Sequence, residues 1–193
     1  MFSVRIHGRG GQGAVTAAEM LSVAAFDQGL HAQAFPSFGS ERTGAPVVAF
    51  CRIDDAPIRA HDPIAEPDAV IVQDPTLLHL VPVFAGISTA GFVLVNSSGP
   101  FADLQVDDLV PGLDPRRLVT VPATELSREH LGQPRPNTAL LGAFAALTGV
   151  VALDAVQDAI RQRFSGDVAE ANAEIARLAH DHVRLTIGGG ISA

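Results

Sequence analysis

The stretch FSVRIHGRGGQGAVTAAEML, residues 2–21, decides the fold. Phe2-Ser3-Val4-Arg5-Ile6 alternates apolar and polar side chains and then meets glycines, which predicts a first β-strand. From Ala14 to Gln28 the apolar positions Ala17, Ala18, Leu21, Ala24 and Ala25 recur at helical spacing, and Gly29 stands where a C-terminal cap belongs. Gly8-Arg9-Gly10-Gly11-Gln12-Gly13 lies between them and fits G-x-G-x-x-G, in the strand–turn–helix context that this motif requires.

Working outward, His31–Phe35 is a short strand-like run before Pro36, and Pro46–Ile53 is a strand rich in Val and Phe. Asp54-Asp55 then marks a turn. Ala69–Gln73, Phe92–Val95 and Leu118–Val121 are short, mostly apolar runs of the buried parallel type. Short helices are expected around Leu77–Phe84 and Thr124–Leu131. Thr138–Leu147 is almost wholly apolar, so it predicts a helix buried on most faces, with Asn137 as its N-cap. Leu153–Phe164 is amphipathic. Val168–Leu185 is a last helix, with Val168, Ile175, Leu178 and Val183 on its apolar side. Strands alternating with helices, then a helical end, predict an α/β fold. The expected form is a mostly parallel central sheet flanked by helices, a Rossmann-like three-layer sandwich with a helical C-terminal part. No linker divides residues 1–193, which are read as a single domain with 187–193 as a flexible tail.

Composition narrows the chemistry. The 193 residues carry a net charge of −8, all 13 basic residues are arginine, and there is one cysteine. Without lysine there is no Schiff-base or P-loop lysine. One cysteine cannot build an iron–sulfur cluster, a cysteine-based zinc site or a disulfide framework. An acidic chain with scattered arginines does not suit nucleic acid. Only 18% of residues are charged, less than usual for the surface of a free monomer, which points to burial against a partner. No run is long and apolar enough to span a membrane and no signal-peptide core opens the chain, so a cytoplasmic protein is expected.

Glycines after the first strand let the backbone turn tightly and approach an anion, and the following helix start offers unpaired N–H groups. Arg9 and Gln12 add donors. A dinucleotide site would also need an acid about 20 residues on, at the end of the second strand. His31-Ala32-Gln33-Ala34-Phe35 contains none. Three readings remain: a dinucleotide, another phosphate-bearing group, or a tight turn or protein contact without a ligand.

The segment from Pro36 to Pro46, PSFGSERTGAP, is a second polar, glycine-punctuated loop. If His31–Phe35 runs parallel to the first strand, the loop begins beside the glycine turn. Arg42 could then reach an anion or a partner carboxylate. The alternative is a solvated Glu41/Arg42 pair on a surface hairpin. The seven histidines are dispersed, so no metal site is expected. Cys51 alternates within a strand and is read as a buried apolar residue. No catalytic set of Ser/His/Asp or Cys/His type is apparent.

Taken in order, HGRGGQGAVTAAEML, AQAFPSFGSERTGAPVVAFCRI, DDAPIR, VIVQDPTLL and NTALLGAFAALTG resemble the gamma subunit of 2-oxoacid:acceptor oxidoreductases, the family of pyruvate:ferredoxin oxidoreductase. The resemblance runs from Met1 to about Asn172. Thr43 departs from it, where a second arginine or another small residue is expected. The resemblance implies a multi-subunit enzyme that oxidatively decarboxylates a 2-oxo acid to an acyl-CoA. Thiamine diphosphate, Mg and the iron–sulfur clusters would sit on partners, the alpha, beta and delta-type subunits. Electrons would leave to ferredoxin or another acceptor, with a flavoprotein subunit in some assemblies. On this chain it implies no catalytic or metal-binding residue. Gly8, Arg9, Gly10, Gly11, Gln12, Gly13 and Arg42 would face coenzyme A or the active-site channel. Ser37, Phe38, Gly39, Glu41 and Asn137 would form an interface or channel loop. The alternatives are a docking subunit that touches no ligand and a free-standing nucleotide-binding domain.

Overall fold

A computed structural model of the chain describes residues 1–37, 44–106, 108 and 110–189. The strands are β1 (Phe2–Arg9), β2 (His31–Pro36), β3 (Pro46–Asp54), β4 (Ala69–Val72), β5 (Phe92–Asn96) and β6 (Leu118–Val121). The helices are α1 (Ala14–Asp27), α2 (Ala123–Leu131), α3 (Asn137–Thr148), α4 (Leu153–Arg163) and α5 (Gly166–Gly189). The six strands form one sheet in the order β2-β3-β1-β4-β5-β6. β1, β4, β5 and β6 run parallel. β3 is antiparallel to both neighbours, β1 and β2. The sheet is therefore mostly parallel, as expected, with β3 inserted in reverse.

That reversal positions the candidate site. β2 is antiparallel to β3, which is antiparallel to β1, so β2 and β1 point the same way. The loop after β2 thus leaves the sheet at the same edge as the glycine turn. Local chemistry supports the placement. β3 buries Ala49 through Ile53, as suits a strand paired on both sides, whereas β2 ends in Pro36 at the sheet's edge.

All five helices pack on one face of the sheet. Val4, Ile6, Ile71, Leu94 and Val121 meet α1 and α3 there in one continuous core. α1 presents Ala17, Ala18, Ala24 and Ala25 to it, side chains small enough for close approach. α3 is buried along nearly its whole length between the sheet and α5, as its composition predicts. The opposite face carries a second core. Val70, Val72, Val93 and Val95 are covered there by Leu77, Leu78, Val83, Phe84 and Val106 from short 3-10 turns and loops. The third layer of the sandwich is thus built of turns rather than helices.

Several local expectations shift. The segment around Leu77–Phe84 is a 3-10 turn, Pro75–His79, capped by the Asp74 carboxylate, and then irregular. Asn137 is not the N-cap of α3; Pro136 takes that position and Asn137 is the first helical residue. Its Oδ1 accepts from the Thr138 N–H at 3.0 Å instead of reaching the next turn. Val168 does not face the core but is 52% exposed, at the start of α5. α5 continues through Gly189, inside the stretch read as tail, while 190–193 lie outside the described residues. Among the described residues no helix is long and apolar enough to cross a membrane.

Candidate functional site

β1 delivers Gly8 and Arg9 to the carboxyl edge of the sheet, and the chain turns there into α1. Gly10 donates its N–H to the Ala45 carbonyl at 2.9 Å, and Gly44 donates to the Gly10 carbonyl at 3.2 Å. The glycine turn is thereby stitched to the end of the second loop. Gly13, the residue before α1, has φ of 80°, a left-handed conformation that favours glycine. A Cβ on Gly13 would also lie 2.7 Å from Nδ2 of Asn137, so the turn and α3 meet only because that atom is absent. Among the described residues the backbone N–H groups of Ala14, Val15 and Thr16 have no hydrogen-bond partner, as the first turn of a helix leaves them.

Arg9 and Gln12 are held by one acid. The Arg9 guanidinium donates from Nε to Asp74 Oδ2 at 3.0 Å, from Nη1 to the Gly44 carbonyl at 3.0 Å and from Nη2 to Thr76 Oγ1 at 2.7 Å. Gln12 accepts from the Arg9 N–H at 2.8 Å and donates to Asp74 Oδ2 at 3.0 Å. Asp74 also accepts from the Thr76 N–H at 3.0 Å. Burial works to raise the Asp74 pKa, but the bonds from Thr76 and Gln12 and the charge of Arg9 together hold it below the ordinary carboxylate value. Asp74 is thus an anionic clamp across the turn. Arg9 is aimed at this clamp, and its charge is compensated within the chain.

Of the second loop, Ser37 donates its N–H to the Val48 carbonyl at 2.8 Å, which closes the base of the β2–β3 hairpin. Phe38, Gly39, Glu41, Arg42 and Thr43 lie outside the described residues.

A cavity of about 700 Å³ opens over the turn. Its floor is Arg9 to Thr16. Val47 of β3, Leu131 of α2, Phe164 at the end of α4 and Val168 of α5 give it apolar walls, and Asn137 and Asn172 reach in from α3 and α5. This explains why Val168 leaves the core. Arg135 and Arg163 line the cavity too, and neither guanidinium has an acidic partner among the described residues. Among the described residues no acid lines it. On a chain of net charge −8 this is an electropositive recess. Sequence reading singled out the floor and Asn137, but not Arg135, Arg163 or the clamp Asp74. Nothing local marks them, because they lie far from residues 8–13 in the chain.

Buried titratable groups nearby do not form a catalytic set. The Cys51 thiol is fully buried and pushed up to about 12. His7 is pushed down to about 4, first by burial and then by the charge of Arg5. Its Nε2 accepts from Arg5 Nε at 3.1 Å, and its Nδ1 has no partner. Arg5 in turn donates to the carbonyls of Val83 and Ala85 at 2.9 and 2.6 Å, tying β1 to the loop layer.

His7 gives a pH prediction. Its folded pKa lies below the unfolded value, so its contribution to stability is complete above about pH 6.5. That contribution declines as pH falls toward 4, the pKa of the folded chain. The loss is on the order of 2–3 kcal/mol. Denaturant titrations of the chain and of His7→Gln, which titrates no proton there, should diverge over this range. Parallel pH profiles would show that His7 is solvated.

Residues 3–182 match the family described as pyruvate ferredoxin/flavodoxin oxidoreductase. The chain is 49% identical over 187 residues to the pyruvate/ketoisovalerate oxidoreductases common subunit gamma of Pyrococcus furiosus, covering 96% of this chain and 98% of that one. It is 47% identical over 183 residues to pyruvate synthase subunit PorC of Methanothermobacter thermautotrophicus, covering 95% and 96%. The crystal structure of pyruvate oxidoreductase subunit PORC from Thermotoga maritima superposes with a TM-score of 0.81 at 36% identity, over 93% of this chain and 95% of that one. The same fold forms 31% of a longer chain, the 2-oxoglutarate:ferredoxin oxidoreductase of Magnetococcus marinus, with a TM-score of 0.72 over 96% of this chain at 16% identity.

Proposed function

The chain belongs to the pyruvate ferredoxin/flavodoxin oxidoreductase family as a gamma subunit, and from that premise we propose that its glycine turn and the cavity above it form one wall of the coenzyme A channel. The observation that carries this reading is the recess itself. Its floor is a helix start with free N–H donors, its walls are partly apolar, and among the described residues no acid lines it. Coenzyme A carries phosphates on an otherwise neutral body and suits such a recess.

The remaining cofactors of the proposed enzyme are assigned to partners on chemical grounds. A single buried cysteine cannot hold an iron–sulfur cluster. Among the described residues the cavity has no carboxylate to offer Mg as a ligand of the usual kind. The alpha, beta and delta-type subunits are therefore proposed to carry these groups, and the electron acceptor, ferredoxin or another, to dock on them. The second loop, from Ser37 through Arg42, is proposed as a contact with those subunits, and the cytoplasm as the compartment. Cys51 stays a free thiol, as suits a reducing compartment.

Gly13→Ala in the assembled enzyme tests the channel. The added Cβ meets Asn137 and strains a left-handed residue. The KM for coenzyme A should rise about tenfold, with the yield of complex retained. An unchanged KM and an unchanged yield would overturn the reading. A lost complex with normal kinetics in what assembles would assign the turn to docking alone.

A further inference from the structure

We infer that the cavity anchors a phosphate ester on Arg135, Arg163 and the amide of Asn137, with Arg9 holding the turn rather than the ligand. This rests on the reading of the cavity as a ligand wall and adds the atoms that would make it selective.

Asn137 is 6% exposed yet lines the cavity. Its Oδ1 is committed to the Thr138 N–H, which fixes the amide plane and leaves Nδ2 as the other end. Nδ2 lies against Gly13 and has no hydrogen-bond partner among the described residues. The residue is buried but its amide lines the cavity, so the acceptor for Nδ2 must come from outside the described chain, and a ligand oxygen supplies one. The residue is held from behind: Thr138 Oγ1 donates to Asn172 Oδ1 at 2.9 Å, and Asn172 Nδ2 donates to the Val168 carbonyl at 2.8 Å. The amide is thus a preorganised donor at the junction of α1, α3 and α5.

The charges come from elsewhere. Asp74 compensates Arg9. Arg135, in the α2–α3 connection, and Arg163, in the last turn of α4, bring two planar guanidinium groups to the same recess. Guanidinium groups pair with phosphate oxygens through paired N–H donors. Phe164 lies beside Arg163, whose Cζ is 6.0 Å from the ring centroid, and offers an apolar surface for the uncharged part of the ester. Coenzyme A and a free nucleotide share this chemistry.

The test uses the assembled enzyme and adenosine 3′,5′-diphosphate as probe, with calorimetric binding of the probe and the KM for coenzyme A as readouts. Arg135→Ala/Arg163→Ala and, separately, Asn137→Asp, which puts a negative acceptor where the donor stood, should each weaken the probe by about tenfold or more. Loss in both readouts supports the anchor and identifies coenzyme A as its ligand. Loss of probe binding with an unmoved KM supports the anchor with a free nucleotide as its source, and counts against the channel reading. Unchanged probe binding overturns the anchor whatever the KM does. The Gly13→Ala result then stands or falls separately for the channel.

Discussion

Gly142→Ala is expected to destabilise the chain by about 4 kcal/mol or more and to prevent its incorporation into a complex. Gly142 lies mid-α3 where that helix crosses α5. A Cβ there would sit 1.9 Å from the Ala176 carbonyl oxygen and 2.7 Å from its Cα. Overpacking usually costs about 1–3 kcal/mol because side chains give way. Here the obstacle is backbone in the interior of a helix, and it cannot rotate aside. α5 would have to retreat, opening space around Phe144 and Ile175, both fully buried. It would also carry Val168 and Asn172 away from the cavity. Thermal or denaturant unfolding of the full chain measures the loss. Ala176→Gly should not rescue it, since the clash is with a carbonyl and not a methyl. A near-native midpoint for Gly142→Ala would mean that the two helices lie further apart than 1.9 Å implies.

Asp74→Ala is expected to cost about 3–4 kcal/mol and to abolish the order of the glycine turn. The carboxylate accepts from Arg9, from Gln12, and from both the N–H and the hydroxyl of Thr76. Its removal leaves a half-buried guanidinium facing a gap, and truncating one partner of such a network costs more than the pair contributes in net stability. Asp74→Asn keeps one acceptor oxygen and loses the charge, so it should fall between the two. The assembled enzyme offers the second readout: Asp74→Ala should raise the KM for coenzyme A through a disordered floor, although Asp74 does not line the cavity. Equal stability of wild type and Asp74→Ala would show that Arg9 has another partner. The clamp would then not be what orders the turn.

These two positions show where sequence and structure part. β1, α1 and the glycine turn are legible from residues 2–29 alone, since alternation, helical spacing and a left-handed glycine are requirements of neighbouring residues on one another. The buried character of α3 is legible for the same reason. The reversal of β3 is not, because Pro46–Asp54 reads as a strand in either direction and only its partners β1 and β2 settle which. The exposure of Val168 has no local signal either: a valine at helical spacing reads as core until the cavity beside it is seen.

By itself the sequence determined the α/β class, the turn that can face an anion, and, through its lack of lysine and its single cysteine, that this chain cannot form a lysine Schiff base or hold a cysteine-ligated cluster alone. Only the tertiary structure decided which cations face the recess. Arg9, nearest in sequence to the turn, lines the recess but is held and charge-compensated by Asp74, 65 residues further on. Arg135 and Arg163 arrive because all five helices pack on one face of the sheet and converge over its carboxyl edge. A backbone turn is dictated by the residues within it, whereas the meeting of side chains distant in sequence is dictated by how apolar faces are buried.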